Sequence, residues 1–142
     1  MFPDRIERTL DLAHPPHTVW AALTTAEGLA AWFGQEVTID LHAGGSLDMS
    51  WTDGPSARMR VERVERPWVF GFTWPIHGLP DGDPRRTYVE FTLEPLGAGT
   101  RLRVVESGFA QLAADDHGRE FDSHTEGWGR ELGELVAYLD AA

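Results

Sequence analysis

Two residues are placed to carry chemistry, Glu106 and His124. Glu106 closes the alternating run Leu102, Val104, Glu106, so a strand here turns its carboxylate to the apolar side. A carboxylate taken out of water needs a partner or is driven towards its neutral form. Such a group can orient a ligand or serve as general acid or base. A bulge at the strand end would instead turn it outward. His124 precedes Trp128 by four residues, one helical turn, which places an imidazole at the edge of an aromatic set.

Other groupings are weaker. His117, Glu120 and His124 share one helical face and are zinc-ligand types. Asp115, Asp116 and Glu120 near a helix start are equally accounted for by the macrodipole, and no metal is assigned. Asp122-Ser123-His124 holds the residue types of a hydrolytic triad, but adjacent helical positions point apart and no Gly-x-Ser-x-Gly elbow exists. Arg85-Arg86, in the Pro- and Gly-rich stretch 75–86, could clamp an anionic group. Twelve-residue loops are uncommon in compact domains and often functional.

Composition removes whole classes. With no cysteine there are no disulfides, thiolate metal sites or cysteine nucleophiles. All 12 basic residues are arginine, so a Schiff-base lysine and a Walker-type phosphate loop are excluded. No dinucleotide fingerprint is present, and no cofactor is expected. The net charge of −11 opposes binding to nucleic acid and to anionic membranes. No apolar run approaches the ~20 residues that span a bilayer. Met1 to Leu12 lacks the pattern of a secretory signal, so the expected location is cytoplasmic.

The elements that must position these groups follow from periodicity. At 142 residues the chain is expected to be one domain, 1–142. Ile6, Leu10 and Leu12 alternate with polar residues as a half-buried strand. Pro15-Pro16 stops it, and two short helices follow, the second capped at Thr24-Thr25. Val37 to Leu41 and Leu47 to Trp51 alternate as strands. A hairpin at Asp53-Gly54-Pro55 would pair Met49 with Met59 and Leu47 with Val61. Trp68, Phe70, Phe72 and Trp74 would share one strand face. Val89, Phe91 and Leu93 should face Glu106, Val104 and Leu102, with Glu94 against Arg101. Phe121, Thr125, Trp128, Leu132, Leu135 and Leu139 form one helical stripe, in which glycines 127, 129 and 133 could let the helix approach the sheet. The fold class is α+β: a seven-stranded antiparallel sheet curling around a long C-terminal helix, with two short helices after the first strand.

These features together resemble a known family. Pro15-Pro16-His17-Thr18-Val19-Trp20-Ala21-Ala22-Leu23-Thr24 is similar to the opening of proteins typified by the C-terminal domain of the heat-shock protein 90 ATPase activator. Trp32-Phe33-Gly34, Gly44-Gly45, Phe72-Thr73-Trp74, Thr100-Arg101-Leu102, Glu106-Ser107-Gly108-Phe109 and Gly127-Trp128 follow in the order expected. The resemblance implies the helix-grip fold of the START-like (SRPBCC) superfamily. It further implies a hydrophobic cavity between sheet and C-terminal helix, holding a lipid-like or aromatic small molecule. The wall expected for it comprises Trp32, Phe33, Met49, Trp51, Met59, Phe72, Trp74, Phe109 and Trp128, with Glu106, His124 and Tyr88 orienting the ligand. A void of roughly 300–1,000 Å³ is the usual size for such a site. The alternatives are an enzyme (cyclase, dehydratase or hydrolase) using Glu106 and His124 as acid–base groups, and a chaperone-interacting module. A homodimer is left open.

Overall fold

A computed structural model of the chain describes residues 4–34, 36–50, 56–75, 85–112 and 114–141. The chain order is β1 (Arg5–Leu12), α1 (Pro16–Thr24), α2 (Ala26–Trp32), β2 (Glu36–Ile39), β3 (Ser46–Ser50), β4 (Ser56–Glu65), β5 (Val69–Pro75), β6 (Arg86–Leu96) and β7 (Gly99–Ser107). A short 3-10 turn (Phe109–Gln111) then leads into α3 (Ala114–Ala141). The strands form a curved antiparallel sheet in the order β1-β7-β6-β5-β4-β3-β2. The helix pair α1–α2 carries the chain from one edge strand to the other. This is the helix-grip arrangement that the sequence implies.

Local chemistry explains the boundaries. Pro16 opens α1, where its missing N–H costs nothing. The Thr25 hydroxyl caps α2 by accepting from the Gly28 amide at 2.9 Å. Strands β6 and β7 pair as the alternation predicts: Val89 with Glu106, Phe91 with Val104, Leu93 with Leu102, and Glu94 with Arg101. The inward residues of the sheet meet Trp128, Leu132, Leu135 and Leu139 of α3 in one buried core.

Three expectations need correction. Met49 pairs with Ala57 and Leu47 with Met59, a slip of two residues from the expected register. The cause is the glycine turn before β3: the Gly44 amide donates to the Val61 carbonyl and the Val61 amide to the Gly45 carbonyl, so Val61 is already engaged there. Because the slip is even, both methionines still face inward. Trp68 is not on the β5 face. Its amide donates to the Glu65 carbonyl, closing a turn that leaves the indole 43% exposed. Glycines 127, 129 and 133 of α3 do not serve close approach to the sheet. Gly129 and Gly133 are exposed and a Cβ at either would meet nothing.

They therefore only lower helix propensity. Gly129→Ala and Gly133→Ala should each raise the unfolding free energy by roughly 0.5–1 kcal/mol in urea denaturation. A loss of stability would mean that these positions touch something.

Candidate functional site

The site is built where β6, β7 and the first turns of α3 converge. Glu106 is 1% exposed, flanked across the sheet by Ile6 and Val89. Its isolation from water is offset by hydrogen bonds to both oxygens. Thr87 Oγ1 donates to Oε2 at 2.5 Å, and Trp128 Nε1 donates to Oε1 at 2.9 Å. His124 Nδ1 lies 2.9 Å from each oxygen. One donor comes from the sheet and two from successive turns of α3, so a single carboxylate joins the helix to the sheet.

His124 faces a second carboxylate. Its Nε2 lies 3.3 Å from Glu120 Oε2, one helical turn back. A ring with a carboxylate at each nitrogen donates from both, which is the imidazolium form. Burial by itself pushes the His124 pKa down, but the hydrogen bond and charge of Glu106, together with the charge and hydrogen bond of Glu120, overcome it and raise the pKa above the ordinary histidine value. His124 is 17% exposed at its side chain and Glu120 13%, so this end of the network is the one nearer solvent.

Aromatic rings surround the imidazole. Trp74 and Phe109 approach it edge-on, with centroids at 6.4 and 5.4 Å. Phe33 continues the wall, tilted against Trp74 at 5.3 Å and Trp128 at 5.7 Å and stacked on Trp32 at 4.9 Å. Phe72 meets Trp74 at 6.1 Å. Met49 packs beside Gly34, where a Cβ would come within 3.3 Å of its sulfur. Met59 is buried on the same sheet face.

Of the residues singled out from the sequence, Trp32, Phe33, Phe72, Trp74, Glu106, Phe109, His124 and Trp128 thus form one connected group. Tyr88 does not join it. It alternates with the inward Thr87 and Val89 and lies on the outer sheet face, its hydroxyl donating to Glu90 Oε1 at 3.0 Å. Burial, followed by the hydrogen bond to and charge of Glu90, raises its pKa. The ring covers Gly71, where any Cβ would collide with it. Trp51, the 76–84 part of the long loop, the Asp53-Gly54-Pro55 turn and the His117 side chain lie outside the described residues. Asp122 and Ser123 are exposed while His124 points inward, so the triad types diverge. Among the described residues, no group of three or more His, Cys, Asp or Glu side chains is arranged to hold a metal ion. Thr87 went unnoticed in the sequence. Its signal was a threonine on the inward parity of β6, ahead of Val89, Phe91 and Leu93.

The network makes stability depend on His124 and Glu106 in a signed way. A histidine whose pKa is raised by folding adds stability fully below its unfolded value, about 6.5, and loses it as pH rises through the folded value. Wild-type unfolding free energy, followed in urea from about pH 5 to about pH 9, should carry this declining share, and Glu106→Gln should flatten it. Glu106→Ala, which strands His124 without its main partner, should cost about 3–5 kcal/mol. A cost below about 1 kcal/mol would contradict the network, because that is the scale of an exposed pair.

Comparison with known proteins agrees with this architecture. The Activator of Hsp90 ATPase homolog 1-like protein family matches residues 13–140. Protein MLL2253 from Mesorhizobium loti is 25% identical, with a TM-score of 0.84 over 97% of this chain and 98% of that one. DynU16, a protein in the dynemicin biosynthetic locus, is also 25% identical, with a TM-score of 0.82 over 98% of this chain and 48% of that longer one. The Aha1 dimer from Colwellia psychrerythraea shares the fold at 19% identity and a TM-score of 0.73, over 96% of this chain and 94% of that one. No match was found among curated proteins. With the family pattern running through nearly the whole chain and the helix-grip architecture in place, the chain belongs to the Activator of Hsp90 ATPase homolog 1-like protein family.

Proposed function

We propose that this chain is a small-molecule binding protein whose ligand, lipid-like or aromatic, occupies the groove between the inner sheet face and α3. One observation carries the reading: a continuous aromatic wall, Phe33–Trp74–His124–Phe109, that ends on the charged His124–Glu120 pair. A mostly apolar surface with a few convergent polar groups is the usual chemistry of a ligand site. Glu106 spends both oxygens on internal donors, so it acts as a positioning residue. The groups left to address a ligand are Glu120 and the outer edge of His124. No helix among the described residues is long and apolar enough to cross a membrane, and a cytoplasmic setting is part of this proposal.

The acid–base reading has one specific observation in its favour, the 2.9 Å contact between His124 and Glu106. A carboxylate on Nδ1 orients the ring and leaves Nε2–H as the proton donor. Under this second reading His124→Gln abolishes turnover while leaving ligand affinity within about threefold. A chaperone-docking role needs a broad exposed apolar patch. Among the described residues the large exposed hydrophobic side chains are Trp68 and Leu96, which is little surface for that purpose.

The binding reading is tested with N-phenyl-1-naphthylamine, an uncharged fluorescent aromatic, and native mass spectrometry of protein taken from cells. Saturable binding of one probe per chain is expected, weakened about tenfold or more in Trp74→Ala, a loss of ~1.4 kcal/mol. No saturable signal, together with no retained mass in the native spectrum, would overturn it.

A further inference from the structure

The outer face of the sheet carries a second feature, unrelated to the aromatic wall. A depression of about 350 Å³ lies over β3, β4 and β5, walled by Arg58, Arg60, Glu62, Thr73 and Arg86, with the Gly44-Gly45 turn at its rim. Strand register explains why three arginines meet there. Arg60 stands opposite Ser46 on one side and Thr73 on the other. Arg58 stands opposite Asp48, and Arg86 opposite Pro75, two residues beyond Thr73. Alternation then turns all three guanidinium stems to the same side. The Arg86 side chain crosses the intervening strand, donating from Nη1 to the Arg58 carbonyl at 3.4 Å.

The local charge runs against the whole. Arg58, Arg60 and Arg86 face the carboxylates of Asp48 and Glu62, a local excess of one positive charge in a chain of net charge −11. The existing pairs do not exhaust the donors. Arg58 meets Asp48 through Nε at 2.8 Å, and Arg60 meets Glu62 through Nε at 3.4 Å, so the forked terminal nitrogens of both have no partner among the described residues. The Thr73 hydroxyl is buried and has no hydrogen-bond partner among the described residues. That hydroxyl presents no surface to the depression, so the donors available there are the guanidinium forks. Guanidinium forks match the geometry of oxyanions.

We propose that this depression is a binding site for a small oxyanion of the phosphate type, held by the terminal nitrogens of Arg58, Arg60 and Arg86. The site lies on the sheet face opposite the proposed ligand groove, so the two stand or fall separately. Gly44, at a φ of +92°, has open space where a Cβ would be, and leaves that side of the rim low.

The test is titration of the full chain with inorganic phosphate at constant ionic strength, against sodium chloride as the screening control, followed by amide chemical shifts. Phosphate should saturate, with shifts centred on residues 44–46, 58–62, 73 and 86. Arg60→Gln and Arg86→Gln should each weaken it at least about fivefold, as expected for the loss of a charge-assisted donor. Arg60→Lys keeps the charge, loses the fork and should fall between wild type and Arg60→Gln. A linear, unsaturated drift like that of chloride, or affinity unchanged in Arg60→Gln and Arg86→Gln, would overturn the proposal.

Discussion

A carboxylate sealed between Ile6 and Val89 is the constraint on which the rest of this molecule depends. Glu106 can occupy that place because three side chains aim donors at it, and those side chains come from two different layers. Breaking the set exposes a large penalty, since a buried charged group without partners is costly, whereas the intact set adds only modest net stability. The network is therefore less a source of stability than a device that sets geometry. It holds α3 in one rotation against β6 and β7. In that rotation Trp128 faces Phe33 and Phe91, and the imidazole of His124 is clasped between Trp74 and Phe109.

The same constraint explains why His124, and not Glu106, is the chemically available group. Glu106 has both oxygens engaged inside the protein. His124 passes that charge outward: Nδ1 on Glu106 forces the ring to present Nε2–H towards Glu120 and the rim. A carboxylate–imidazolium–carboxylate chain running from core to rim gives an otherwise apolar wall a single charged end. The chemistry of the wall and its charged end supports the binding reading.

Much of this was legible in the sequence, and the exceptions have physical causes. The inward carboxylate, the β6–β7 register and the α3 stripe follow from strict alternation or helical spacing over long segments. The two-residue slip of Met49 and Met59 was not legible, since pairing there depends on the Gly44-Gly45 turn reaching Val61 and not on the hairpin residues alone. Trp68 fits the aromatic alternation of β5 by residue type, but the turn that its own amide closes decides its place. Tyr88 was expected to orient a ligand beside Glu106, although parity puts it on the other face. Thr87 escaped notice because a threonine on an apolar face is chemically quiet until its acceptor is in place. The arginine cluster could not be seen at all before register aligned β3, β4, β5 and β6 in successive rows.

The central claim is that Glu106 and Glu120 together hold His124 as a cation at the seam between helix and sheet. Its most direct test is nitrogen-15 spectroscopy of the His124 ring across neutral pH. Both ring nitrogens should report as protonated at pH 7, in a histidine that loses its proton only above the usual range. A neutral ring at pH 7, with one bare nitrogen and an ordinary or lowered titration point, would contradict the account.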